Sequence, residues 1–88
     1  MPEPRFELDI SEVFAVTGRP VIVNGSTSQG LLRNGERVDV VRNGQVVATA
    51  QALIEIHARP GTTSLVLLGL DAAHIRPGDV VRAQPGHG

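Results

Sequence analysis

Short runs of apolar residues, separated by turn-forming pairs, dominate the chain. Three Asn-Gly pairs fall between residues 24 and 44, and the segments around them are rich in Val, Ile and Leu. Asn and Gly tolerate the positive φ angles of the tightest turns between right-twisted strands, so these pairs favour antiparallel hairpins. The pattern predicts an all-β fold, a small closed antiparallel β-barrel of six or seven strands.

The first third of the chain predicts two long strands. Residues 5–16 alternate imperfectly between apolar and polar, which indicates a strand with a bulge or bend near Ser11. After a turn at residues 17–20, a second strand begins at Val21. There the pair Asn24-Gly25 is interpreted as a bulge inside the strand, and Leu31 and Leu32 are expected to pack inward.

The remaining strands follow from clearer turn signals. Asn43-Gly44 is predicted to be a two-residue hairpin turn that leads into a strand over residues 45–56. The nearly continuous apolar run at residues 62–70 predicts a strand buried on both faces. Asp71 is expected to cap one helical turn, and residues 79–83 supply the last strand. The glycines assigned to bends and turns are Gly25, Gly30, Gly35, Gly44, Gly61 and Gly78.

Composition bounds what the chain can build. Its 88 residues predict one domain over residues 5–83, between a flexible N-terminal tail at residues 1–4 and a C-terminal tail at residues 84–88. The core must be aliphatic, because the sequence has no Trp or Tyr and two Phe. It has no cysteine either, which removes disulfides and thiolate chemistry.

The charges and motifs exclude several function classes. Nine acidic residues face eight basic ones, all of them arginine, so no positive surplus favours phosphate binding overall. A nucleotide-binding loop needs a lysine, which the chain lacks. No Gly-x-Ser-x-Gly motif occurs, and the three histidines do not have the spacing of metal ligands. We therefore expect no enzyme activity, no cofactor and no metal.

Targeting signals are not apparent in the sequence. The first residues lack the basic and apolar regions of a secretory signal, and no apolar run is long enough to span a membrane. The expected location is cytoplasmic, without membrane contact.

A set of motifs in a fixed order resembles a known family. The chain is similar, from about Arg5 to Ala83, to the second domain of translational GTPases such as elongation factor Tu. The motifs that carry the resemblance are Phe6, Ile10, Val13-Phe14, Gly18-Arg19, Val21 to Gly25, Gly30, Gly35-Glu36, Val38 and Ile75 to Val81. The resemblance implies a β-barrel present as a stand-alone domain, without a GTP-binding neighbour.

The resemblance also implies candidate binding residues. Glu12 stands where the family has an acidic residue, and Glu55 stands where the family has a glutamate that contacts the terminal adenosine of tRNA. His57 takes the place of an aromatic residue, and Arg59 lies in a loop that is shorter than the family's. Arg19 is retained after Gly18, although Pro20 replaces a second glycine.

Two hypotheses on function follow, and a third is disfavoured. Near-neutral charge and aliphatic composition favour a protein-binding module, a monomer or weak dimer. The alternative is RNA binding, to a tRNA acceptor end or ribosomal RNA; the lack of Lys, Trp and Tyr counts against it, because single-strand binders stack bases on aromatic residues over basic grooves. A catalytic or small-molecule role has the least support.

Overall fold

The computed structural model describes residues 5–26, 28–55 and 60–84. Within these residues 53% of the chain is β-strand, and the helical structure is one short 3₁₀ helix, Ala72–His74. The eight strands in chain order are β1 Glu7–Asp9, β2 Glu12–Phe14, β3 Val21–Gly25, β4 Ser28–Gln29, β5 Glu36–Arg42, β6 Gln45–Ile54, β7 Thr63–Leu68 and β8 Val80–Ala83.

All eight strands belong to one sheet, in the order β2-β3-β7-β6-β5-β8-β1-β4, and every neighbouring pair is antiparallel. The prediction of an antiparallel all-β fold is therefore confirmed. Hydrogen bonds do not join the two end strands, β2 and β4, so the sheet is not closed by its own ladder. There are more strands than the six or seven predicted because each of the first two predicted strands is divided in two.

The first four strands form one long, bent hairpin. Glu12 lies opposite Asn24 in the β2–β3 pair, and Leu8 lies opposite Ser28 in the β1–β4 pair. The two residue numbers of a pair add up to 36 in both cases, so the register is the same on either side of the bend. The predicted bend near Ser11 is confirmed, since Ile10 and Ser11 separate β1 from β2. The bulge predicted at Asn24-Gly25 is wrong, because the register does not shift there.

Gly25 allows this hairpin to bend by having no side chain. It is buried at the end of β3, and a Cβ atom placed on it would collide with the carbonyl oxygen of Asp9 and the side chain of Leu8. The glycine is needed for close packing of two backbones, and its φ angle is not in the positive range. The other glycines predicted at turns, Gly30, Gly35, Gly44, Gly61 and Gly78, all have positive φ, as do Gly18 and Gly69.

The β5–β6 hairpin confirms the prediction made from Asn43-Gly44. Arg42 pairs with Gln45 across the two-residue turn, and Asn43 and Gly44 have φ angles of 52° and 79°. Positive φ at both central positions is the geometry that fits the right-handed twist of the flanking strands. Two residues before the turn, the pairing of β5 with β6 has a register shift, between Val40 and Val41.

The end of the chain follows the prediction with one correction. Asp71 caps the 3₁₀ helix by accepting a hydrogen bond from the Ala73 N–H at 3.0 Å, as expected. The prediction that the strand at residues 62–70 is buried on both faces is wrong. In β7, Leu65 and Leu67 on the inner face are buried, whereas Val66 and Leu68 on the outer face are only half-buried.

The core lies on the inner face of the sheet. Its members are aliphatic, with Phe6 as the aromatic exception; the others are Leu8, Ile10, Val21, Val23, Val38, Val40, Ala50, Ala52, Leu65, Leu67, Ile75, Val81 and Ala83. Leu32 packs against this cluster as predicted, but Leu31 is 81% exposed, which corrects the expectation that both pack inward.

Candidate binding surface

The outer face of one half of the sheet, β2-β3-β7-β6, carries partly exposed side chains of two kinds. On β3, Val21 and Val23 point into the core, so Ile22 and Asn24 lie on the opposite, outer face. Residues directly opposite each other on antiparallel strands share a face. The register therefore places two rows of side chains across this half of the sheet.

The first row is apolar. Phe14 pairs with Ile22, Ile22 pairs with Val66, and Val66 pairs with Leu53. Phe14 is 46% exposed and the other three are half-buried. We name Phe14, Ile22, Val66 and Leu53 the apolar row. It spans four strands without an intervening charge.

The second row is polar and runs beside the first. Glu12 pairs with Asn24, and Asn24 pairs with Ser64. The Glu55 N–H donates to the Ser64 carbonyl at 2.9 Å, which places Glu55 at the far end. We name Glu12, Asn24, Ser64 and Glu55 the polar row. Its two carboxylate residues stand three strand spacings apart, about 14 Å.

The centre of the polar row is fixed by hydrogen bonds. The buried Ser64 hydroxyl donates to Asn24 Oδ1 at 2.5 Å. The Asn24 carbonyl in turn accepts bonds from the Ser11 N–H at 2.8 Å and the Ser11 hydroxyl at 3.0 Å. These contacts hold the middle of the row in place, between the two carboxylate residues at its ends.

The residues predicted from the resemblance are brought together only in part. Glu12 and Glu55 occupy the two ends of the polar row. Gly18 and Arg19 lie in the exposed β2–β3 turn, where the Arg19 N–H donates to the Val16 carbonyl at 3.0 Å. This turn lies beyond the apolar row, on the side away from Glu12. His57 and Arg59 are outside the described residues.

The other half of the sheet, β5-β8-β1-β4, has a different outer row. Asp39 pairs with Arg82, Arg82 with Glu7, and Glu7 with Gln29. Arg82 Nε lies 3.2 Å from Glu7 Oε2, and Gln29 Nε2 donates to Glu7 Oε1 at 3.2 Å. Gln84 Nε2 donates to Asp39 Oδ1 at 2.9 Å. We name Asp39, Arg82, Glu7 and Gln29 the charged row; its members contact one another or Gln84.

An ion pair between the partly exposed Arg42 and the buried Asp79 anchors this second half. Arg42 Nε donates to Asp79 Oδ1 at 2.8 Å, and the Arg42 Nη2 donates to Oδ2 at 2.8 Å, so the pair is bidentate. Arg42 Nη2 also approaches the His74 carbonyl at 3.3 Å, and the Arg76 N–H donates to Asp79 Oδ2 at 3.0 Å. Asp79 is 1% exposed. The pair therefore connects the end of β5 to the 3₁₀ helix and to the turn before β8.

This environment changes the acidity of both partners. The side-chain hydrogen bond from Arg42 lowers the pKa of Asp79, helped by the Arg76 N–H and the two nearby positive charges, while burial opposes the shift. The same hydrogen bond raises the pKa of Arg42. The sequence alone did not predict this pair. Its members are 37 residues apart, and a sequence signal would have to come from the position of Asp79, directly after the Gly78 turn.

The remaining surface offers no reactive constellation in the described part of the chain. A shallow groove open to solvent lies between β6 and the 3₁₀ helix; its lining residues are Val47, Ala48, Thr49, Gly69, Leu70, Asp71 and His74. Among residues 5–26, 28–55 and 60–84, no three His, Asp or Glu side chains are grouped as metal ligands. No helix within these ranges has the length and apolar character needed to cross a bilayer.

Comparison with known proteins identifies the type of module. No protein-family model matches the chain. The chain is 33% identical to elongation factor Tu 2 of Streptomyces avermitilis over 88 aligned positions, which cover 92% of this chain and 22% of that protein. It thus spans about a fifth of the length of this relative.

The fold and the match together define a β module of the kind found in translation factors. The matched part of the relative is a β domain and not the GTPase domain. The resemblance to the second domain of translational GTPases is confirmed, since 92% of this chain is similar to a part of elongation factor Tu 2.

Proposed function

We propose that this chain is a non-catalytic binding module that engages a protein partner through the apolar row and the polar row beside it. The partner surface would supply apolar side chains for the strip around Phe14 and basic groups for the carboxylates of Glu12 and Glu55. Aromatic residues often contribute much of the affinity of an interface. Phe14 is the aromatic residue that this surface offers.

The observation that carries the proposal is the apolar row itself. Four apolar side chains lie in line across four strands, on the face that points away from the core. A contiguous apolar surface bordered by polar groups marks interaction sites more often than scattered apolar residues do. The carboxylates at the ends of the polar row favour a partner with positive charges, because complementary charges guide and orient association.

A pair of variants tests the protein-binding proposal. The purified chain is used to capture proteins from an extract of the cells that make it, and the captured partner is then titrated by calorimetry. Phe14→Ser is expected to weaken binding about tenfold or more, as for an anchor residue. The matched control Arg82→Gln, in the charged row, is expected to leave the affinity unchanged. Equal affinities for both variants, with circular dichroism showing both folded, would contradict the use of this surface.

We further propose that the sheet wraps into a barrel. In support, β1 and β2 are one strand interrupted by Ile10 and Ser11, and this strand pairs with β8 through its first part and with β3 through its second. The two end strands of the ladder are three and two residues long, which leaves little edge for pairing between copies. This favours a monomer or a weak dimer.

RNA binding is the second candidate function. The polar row favours it through the Asn24 side chain and the Glu55 carboxylate, which are hydrogen-bonding groups suited to ribose hydroxyls and base edges. The resemblance assigns Glu55 a contact with the terminal adenosine of tRNA. Against it, a carboxylate residue stands at each end of the polar row, and carboxylates repel phosphates.

Titration of an acceptor-end oligonucleotide distinguishes the two candidates. If RNA is the ligand, binding should weaken steeply with salt, as expected when arginine contacts phosphate, and should fall on Arg19→Ala and Glu55→Gln. Phe14→Ser should then reduce the affinity for the oligonucleotide no more than it reduces the affinity for the protein partner. Binding that is insensitive to both salt and Arg19→Ala would argue against RNA.

The proposal includes the absence of GTPase activity and a cytoplasmic place of action. The chain contains no lysine to contact nucleotide phosphates, and its relative is named for a step of translation. Incubation of the purified chain with GTP, followed by detection of released phosphate, checks the first part. Turnover above a buffer blank would refute it.

A further inference from the structure

The three Asn-Gly pairs have the same local chemistry and different surroundings. In an Asn-Gly pair, the glycine nitrogen can attack the Cγ atom of the asparagine side chain. The attack forms a five-membered succinimide ring. Glycine leaves this nitrogen unhindered because it has no Cβ atom. The fold decides which of the three pairs can reach the required geometry.

Asn24 lies within β3 and is paired with a neighbouring strand on each side. It pairs with Glu12 of β2 and with Ser64 of β7, and Gly25 pairs with Thr63. The side-chain oxygen of Asn24 accepts the hydrogen bond from the Ser64 hydroxyl. Ring closure here would require the sheet to open locally.

Asn34 and Gly35 are each held by a hydrogen bond to β6. Its Oδ1 atom accepts a hydrogen bond from the Ile54 N–H at 2.7 Å. The N–H of Gly35, which carries the attacking nitrogen, donates to the Ala52 carbonyl at 2.7 Å. Both reacting groups are therefore engaged with β6, and both bonds must break before the ring can form.

Asn43 differs from both. It lies with Gly44 at the exposed tip of the β5–β6 hairpin, and its φ angle is 52°. Across the three described ranges, neither the Asn43 side chain nor the Gly44 N–H has a hydrogen-bond partner. Rotation of the Asn43 side chain towards the Gly44 nitrogen breaks no hydrogen bond of the fold.

We propose that Asn43-Gly44 is the site at which the folded chain undergoes spontaneous deamidation. The Gly44 nitrogen forms a bond to Asn43 Cγ and gives up its proton, and the side-chain nitrogen leaves as ammonia. Water then adds to one of the two ring carbonyls. The products are aspartate or β-linked isoaspartate at position 43, with no oxidation or reduction.

The product places a new carboxylate next to Arg42. In the isoaspartate form, the backbone is one atom longer within a turn that holds two residues. That turn fixes the end of β5, from which Arg42 reaches Asp79. Modification at Asn43 is therefore expected to weaken the β5–β6 hairpin at its tip, at the opposite end of β6 from Leu53.

Peptide mapping of the aged protein tests the proposal. Trypsin cleaves after arginine except before proline, so the three asparagines fall in separate peptides, residues 6–33, 34–37 and 43–82. The folded chain is incubated in mildly alkaline buffer, and each peptide is followed by mass spectrometry and isoaspartate detection. Asn43 is expected to convert roughly fivefold or more faster than Asn24 and Asn34, since each of those must break at least one hydrogen bond first.

Two controls separate the effect of the fold from that of sequence. In concentrated urea the three sites should convert at similar rates, and Asn43→Gln should abolish the fast phase in the folded protein. Conversion of Asn24 or Asn34 as fast as Asn43 in the folded chain would overturn the proposal. So would a preference for Asn43 that persists in urea, because the neighbouring residues and not the fold would then set the order.

Discussion

The two halves of the sheet enclose one aliphatic core, but their outer surfaces differ in chemical character. On β2-β3-β7-β6 the outer side chains form the apolar row, with Phe14 at its edge. On β5-β8-β1-β4 they form the charged row, in which Glu7 contacts both Arg82 and Gln29. Charged side chains that already contact one another within the molecule offer less to a partner. The comparison teaches that apolar and charged outer side chains are assigned to separate halves of one small sheet.

The halves are joined by the bent hairpin of β1 to β4. Its first strand contributes Glu7 to the charged row and Phe14 to the apolar row, seven residues later. Gly25 lies at the bend of the second strand, against the backbone of the first. The hairpin is therefore where a single substitution can disturb both halves.

The largest effect is expected for Gly25→Ala. The added Cβ would collide with the Asp9 carbonyl and the Leu8 side chain, and neither backbone can move without breaking its pairing. The free energy of unfolding should fall by about 3 kcal/mol. Urea denaturation followed by circular dichroism measures the change.

Gly44→Ala is the matched control for this substitution. Gly44 has positive φ, but a Cβ on it meets no atom within 4 Å. Its cost should therefore be only the left-handed backbone penalty, about 1 kcal/mol. A Gly44 variant that is less stable than the Gly25 variant would contradict the close-packing explanation.

The next effect concerns the charged half alone. Asp79→Asn keeps the shape of the side chain but removes its charge, and so weakens the bonds to Arg42 and to the Arg76 N–H. A loss of about 2 kcal/mol is expected for charge-assisted bonds to a buried group. Amide exchange should rise first in β5 and β8. Uniform exchange across both halves would show that the pair does not act locally.

The same pair predicts a loss of stability in acid. The pKa of Asp79 is lowered in the folded state, so its contribution is fully present above the unfolded value, near 4, and is lost as pH falls through the folded value. Thermal unfolding of the native chain should become easier below about pH 4. The Asp79→Asn variant should lose less stability over the same range. Identical pH profiles would exclude Asp79 as the titrating group.

The smallest effect is expected within the charged row. A double-mutant cycle of Glu7→Gln and Arg82→Gln should give a coupling of about 0.5 kcal/mol, because both side chains are partly exposed. Added salt should reduce the coupling further. The cycle is measured by urea denaturation at two ionic strengths. A coupling that does not respond to salt would mean that packing, and not charge, links the two residues.

Local chemistry was sufficient to predict much of the fold. Asn43-Gly44 specified its hairpin because the turn depends on two residues alone, and Asp71 specified its cap for the same reason. Such features depend on neighbours in sequence. They were therefore visible without knowledge of the tertiary structure.

Features that depend on distant residues were not visible. Nothing beside Gly25 in the sequence indicates that the Asp9 backbone packs against it. The sequence therefore predicts a bulge at Asn24-Gly25 and not a close contact between two backbones. Arg42 and Asp79 each resemble ordinary surface charges until the fold brings them together. The two rows of the candidate surface depend on the register of the strands, which places Phe14 in line with Leu53 across four strands.

The register of the bent hairpin is the same on both sides of its bend. The number of residues at the bend therefore matters. One residue inserted or deleted between Gly25 and Ser28 would reverse the facing of every side chain that follows in that strand, while the partner strand stayed as it was. Glu7 would lose Gln29 as its neighbour in the charged row. The bend between Gly25 and Ser28 must therefore keep its number of residues.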